Sequence, residues 1–174
     1  NIIDILITNN YFVNLRLHPM TLRYFPNLPK KLDKKYYDSG NFLFDPNIKN
    51  IDSLIDNDTM ISEWSGAALE FAFTTNKPVI FIDNKPKINN KNWEKIGLPC
   101  LEETIREKIG EVISPNNLKT IPKIIDEFIN NSKDWNDRIT DMRNKSVFNI
   151  GNSGDFAAKT IYKKLELINK SKKI

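Results

Sequence analysis

The residues of this chain best suited to chemistry stand at two corners. The first is Ser65-Gly66-Ala67-Ala68, where a short apolar run meets a helical stretch. A serine at such a junction accepts from the first helical N–H groups, and small residues behind it leave those donors uncovered. Helix N-termini also carry partial positive charge, so the corner suits an approaching phosphate. The same residues would serve equally as an ordinary helix cap whose small side chains let the helix lie close to a sheet. The second corner is Arg16-Leu17-His18-Pro19. Proline has no N–H for a ladder and stops a strand there. That leaves His18, the single histidine, at a strand's C-terminal edge, where ligands gather in open α/β sheets. Its alternative role is to cap the strand end.

These corners need elements to hold them. Residues 59–62 read as a strand, 65–75 as a helix and 78–82 as a second strand, together a β-α-β unit. Residues 1–8 suit a helix or a strand, with helix the preferred reading, ended by Asn9-Asn10; residues 11–17 alternate as a strand. Between 20 and 37 the composition is helical, but Pro26 and Pro29 interrupt it, which predicts a turn and then a helix carrying Lys30, Lys31, Lys34 and Lys35 on a solvated face. Further strands are expected at 42–44 and 111–113, and helices at 51–55, 102–109 (closed by Gly110), 118–130, 133–145 and 155–168, with a polar loop over 84–93. The last helix sets Ala157, Ile161, Leu165 and Ile168 on one face. Strands alternating with helices predict an α/β fold, a Rossmann-like parallel sheet with helices on both faces. Neither a G-x-G-x-x-G nor a P-loop occurs. A nucleotide-binding half usually opens with a strand and a Gly-rich turn, so the sheet is expected to lack its first strand, as part of a larger domain.

The 174 residues, 40% of them hydrophobic, form one domain's worth of chain. The net charge of +4 is mild and the lysines are interspersed with acids, which argues against a nucleic-acid partner. With one cysteine, Cys100, and one histidine, neither an internal disulfide nor a Cys/His metal cluster can form, and no metal or cofactor is expected. No apolar run approaches the ~20 residues that span a bilayer, and a cytoplasmic location is expected. Lys163, Lys164, Lys170, Lys172 and Lys173 cluster near the C-terminus; this suits either a solvated tail or peripheral attachment to an anionic membrane surface.

Six strings in series, Arg16-Leu17-His18-Pro19, Ile61-Ser62-Glu63-Trp64-Ser65-Gly66, Glu70-Phe71-Ala72, Lys77-Pro78-Val79-Ile80-Phe81, Ile105-Arg106-Glu107-Lys108-Ile109-Gly110 and Asn149-Ile150-Gly151-Asn152-Ser153-Gly154, carry a resemblance. In order and spacing they resemble the C-terminal half of the CDP-glycerol glycerophosphotransferase family. The resemblance implies the GT-B architecture of two facing Rossmann-like domains, with residues 1–174 as the donor-binding domain and an N-terminal acceptor domain outside this sequence. Transferases of CMP-activated sugars have similar His-Pro and Ser-Ser motifs, so the match marks a cytidylate donor site better than the group transferred.

Carried over residue by residue, the resemblance places His18 at the donor phosphates as the catalytic hydrogen-bond donor. Arg16, Ser62, Ser65 and the Gly66 amide would bind those phosphates, and Glu63 and Glu70 would lie near the ribose or the transferred group. An imidazole of ordinary pKa, ~6.5, can be cationic beside a pyrophosphate. Trp64 lies between two buried elements and reads as core. Two departures stand out: the family's aspartate before the aromatic residue is Glu63, and the second serine of its pair is Gly66. The expected activity is transfer of glycerol phosphate, or a related alditol phosphate, from a CDP-activated donor to a hydroxyl of a polymer or lipid-linked acceptor. A glycosyltransferase using a CMP- or UDP-sugar and a non-catalytic nucleotide-binding or scaffolding module are the alternatives.

Overall fold

The computed structural model describes residues 1–47, 52–85, 90 and 92–171. The chain divides into two compact units, Asn1–Thr140 and Asp141–Ile174.

In the first unit, α1 (Ile2–Thr8) ends at Asn9 and the left-handed Asn10 and leads into β1 (Val13–Leu15). Two helices follow, α2 (Pro19–Tyr24) and α3 (Leu28–Tyr36), and then β2 (Phe42–Phe44). Pro26 lies in the turn between the two helices and interrupts them as expected, but two other prolines do not break a helix. Pro19 and Pro29 lie in the first turns of α2 and α3, where a missing N–H breaks no helical hydrogen bond, so two helices form where a turn and one helix were expected. Next come α4 (Asp52–Ile55), β3 (Met60–Ser62), α5 (Gly66–Thr75), β4 (Val79–Ile82), α6 (Leu101–Ile109) and β5 (Gly110–Ile113). The expected polar loop contains a 3-10 turn at Trp93–Ile96; residues 86–89 and 91 of that loop, like Ile51 of the expected short helix, lie outside the described residues. The helix expected over 118–130 is a 3-10 turn, Pro115–Thr120, followed by α7 (Ile121–Asn130), and α8 spans Ser132–Ser146.

All strand pairs are parallel, and the architecture is the mixed α/β, Rossmann-like one expected. The strands form two sheets, however: β1 beside β2, and β3-β4-β5 with β4 in the middle. β4 is buried along its whole length because both its faces are covered. Ile80 and Ile82 join Leu6, Val13, Ile113, Ile121, Ile125 and Phe128 in one cluster, against which Phe42 and Ile61 also pack. That single core therefore draws on both sheets. Each buried side chain of this size contributes about 1.5–3 kcal/mol. Around it, Tyr11 donates its hydroxyl to Asp126 Oδ1 at 2.7 Å, and burial, reinforced by that carboxylate, pushes the phenol up to about 12. The lysines of α3 are exposed, as the sequence suggests, but Lys35 is engaged: its ammonium and the Tyr36 hydroxyl hold the Asp4 carboxyl down to about 2.

Gly110 follows the last residue of α6 as expected, and it is needed for a further reason. Its φ of 176° is extended backbone open to any residue, but an added Cβ would stand 1.8 Å from the Val79 carbonyl oxygen. Gly110 opens β5 and lies opposite Val79 in the ladder. Gly110→Ala must push β5 off the central strand, and chemical denaturation should show a loss of about 3 kcal/mol or more; an unchanged midpoint would contradict this packing.

The second unit contains α9 (Ser153–Ser171). Lys172 and Lys173 of the basic cluster lie outside the described residues. Among the described residues no helix is long and apolar enough to cross a membrane. The apolar side chains of α9 are open to solvent: Ile161 is 58% exposed and Leu165 50%. Amide exchange in α9 should accordingly be much faster than in α5, which buries Ala68, Phe71 and Ala72. Equal protection of the two helices in dilute monomer would show that the α9 face is covered in solution.

Candidate functional site

The sequence-derived site residues fall at the C-terminal ends of two parallel strands, one in each sheet. Beyond β1, Arg16 turns its guanidinium to the residues that follow β2. Nε donates to Asp45 Oδ2 at 2.9 Å and Nη2 to the Asn47 carbonyl at 3.2 Å, with both partners of the ion pair largely buried. The arginine thus braces two neighbouring strand ends. His18 is exposed, and its Nδ1 accepts from the Met20 amide at 3.1 Å, capping α2. An Nδ1 that accepts a hydrogen bond carries no proton, so the neutral ring holds its proton on Nε2, as a donor. The cap therefore leaves Nε2 as the ring nitrogen that can donate to a ligand.

The second group follows β3. Ser62 is its last residue, and Ser65 has the extended backbone of an N-cap, with its Oγ accepting from the Ala67 amide at 3.3 Å. Gly66 and Ala67 are exposed, and the space a Gly66 Cβ would occupy has no heavy atom within 4 Å. The α5 N-terminus is thus open to a ligand, and Glu70, four residues on, stands exposed on the same helix face as Gly66. Glu63 and Trp64 tie this corner to the end of β4: the Glu63 carboxylate accepts from Asn84 Nδ2 at 2.6 Å, and the Trp64 indole donates to the Asn84 carbonyl at 2.7 Å. The added methylene of Glu63 is part of the reach across to Asn84.

Sequence reasoning missed Asp45, Asn84, Asp83 and Arg106. Arg106 is 5% exposed, and its Nη1 donates to Asp83 Oδ1 at 3.1 Å. A signal for it existed: it lies three residues before the buried Ile109 and next to the buried Ile105, on the apolar stripe of α6. A cleft of about 270 Å³ lined by Glu111, Glu127, Phe128, Asp134, Trp135 and Arg138 includes none of the site residues.

The fold and these strand ends define the class: a mixed α/β, Rossmann-like protein whose candidate ligand groups lie where parallel strands end. No protein-family model matches the chain, and no curated protein or solved structure is significantly similar to it.

The two caps should behave differently when removed. Ser65→Ala strips a cap from a helix that buries Ala68, Phe71 and Ala72, and should cost about 1 kcal/mol in urea denaturation. His18→Ala uncaps α2, none of whose residues is buried, so the urea midpoint should hardly move while α2 amides exchange faster. A drop in midpoint for His18→Ala as large as that for Ser65→Ala would contradict this assignment.

Proposed function

We propose that this chain is the donor-binding domain of a transferase that moves glycerol phosphate, or a related alditol phosphate, from a CDP-activated donor to an acceptor hydroxyl. The observation that carries this reading is the open α5 corner, with a capping serine, an uncovered glycine and an exposed carboxylate one helical turn on. In this reading the Gly66 and Ala67 end of α5 receives the donor diphosphate, and Ser62 and Ser65 supply hydroxyls. Glu70 lies toward the ribose or the alditol. The acceptor oxygen attacks the β-phosphorus, forming a new P–O bond as the bond to the bridging oxygen breaks, and CMP departs with that oxygen. His18, through Nε2–H, stabilises the charge gathering on the departing phosphate. Such chemistry rests on positioning and on donors aimed at developing charge more than on a protein nucleophile. The acceptor, polymeric or lipid-linked, would be held by a separate domain.

Thermal denaturation with CDP-glycerol, CMP and UDP tests the proposal. A ligand at a hundredfold excess over its dissociation constant stabilises the folded state by about 2.7 kcal/mol. CDP-glycerol and CMP should raise the melting temperature more than UDP, and His18→Ala should reduce the CDP-glycerol shift. No shift with any of the three at millimolar concentration would remove the donor site.

A further inference from the structure

Arg106 is the buried charge that the proposed chemistry leaves unused. Its guanidinium carbon lies 4.1 Å from the centroid of the Trp64 ring and 5.3 Å from that of Phe81. One nitrogen meets Asp83, whose side chain is 54% exposed. The other two, Nε and Nη2, are buried with no hydrogen-bond acceptor among the described residues. Burying a guanidinium in this way is costly, and an apolar side chain of similar length is commonly as stable or more so in such a position. Packing alone does not account for an arginine here.

What arginine adds is a flat cationic face and a fixed fork. The face attracts the electron-rich surface of an indole, and the fork lets one nitrogen hold Asp83 while the plane stays against the ring. Trp64 is thereby gripped twice, by Arg106 on its face and by the Asn84 carbonyl at its indole nitrogen. Both grips are rooted at the end of β4, since Asp83 and Asn84 are its next two residues. Trp64 directly precedes Ser65, so whatever fixes its backbone fixes the cap and the first free amides of α5.

We infer that Arg106 is the positioning residue of the α5 corner: through Trp64 it sets where Ser65 and the Gly66 and Ala67 amides stand relative to the end of β4. The inference concerns ligand affinity only insofar as the donor-site reading above holds; the effect on the corner is independent of it. Lysine keeps the charge but has no planar face or fork, and methionine keeps the length alone.

The test follows the three indole N–H and the Gly66 and Ala67 amide resonances by NMR in the 174-residue chain, with the Trp64 indole assigned through Trp64→Phe. Arg106→Lys and Arg106→Met should shift the Trp64 indole and the Gly66 and Ala67 amides, speed indole exchange, and weaken CDP-glycerol binding by about tenfold. Methionine should leave the melting temperature close to the parent's, so that moved resonances report lost positioning and not lost stability. Should both replacements unfold the chain, Asp83→Asn at the exposed end of the clamp should move the same resonances in a folded protein. Unchanged Trp64, Gly66 and Ala67 signals in the folded variants would overturn the positioning role. Moved signals with no CDP-glycerol binding by the parent would uphold it and sink only the donor-site reading.

Discussion

Burial of one strand constrains most of this structure. Val79, Ile80, Phe81 and Ile82 are all nearly inaccessible, with a neighbour strand on each edge and packing on each face. A strand covered on both faces cannot alternate polar with apolar residues, and its backbone groups must all find ladder partners. The requirement propagates outward. β5 must come close enough that only glycine fits opposite Val79, and α5 lies against the sheet with alanines at two of its three buried positions. The register aligns Ser62 of β3 with Phe81 of β4, so both strands end at the same edge. That alignment is why an indole from one strand end can reach a carbonyl at the next.

At the ends of strands in both sheets, charged pairs hold neighbouring segments together. Arg16 is paired with Asp45 across β1 and β2, and Arg106 with Asp83 beneath Trp64. The donors at the candidate corners are dipolar groups, helix amides, a serine hydroxyl and the His18 Nε2–H, with the exposed Glu70 carboxylate one helical turn beyond the start of α5. Fixed dipoles of this kind can stabilise developing charge without reorganising, provided their directions are set in advance by the surrounding fold. Bracing by the two arginines' ion pairs and orientation of the dipoles are therefore two parts of one arrangement. The shared hydrophobic core extends this coupling between the sheets, since Val13 of β1 and Ile80 and Ile82 of β4 meet in the same cluster.

Much of this was legible in the sequence because it depends on local chemistry. Alternation over 11–17, short apolar runs elsewhere and the period-3.6 pattern marked the strands and the long helices, and the Ser65 cap followed from residue type and position alone. Proline at a strand end located His18, and the side-chain choice at 66–68 announced an open helix start. Other features depended on what lies across space. Whether the strands form one sheet or two is a matter of which edges meet. Gly110 looked like a helix stop, but its constraint is a carbonyl 31 positions earlier in the chain. Arg16 and His18 carry the right groups for phosphate, yet only the tertiary structure assigns one to Asp45 and turns the other's Nδ1 to an amide. Arg106 was the hardest to read, because an arginine between apolar residues reveals its place on a stripe but not the ring above it. Residue type and spacing determined the elements and their ends, because those are set by neighbours along the chain; the partners of each charge were decided only when folding brought distant strand ends together.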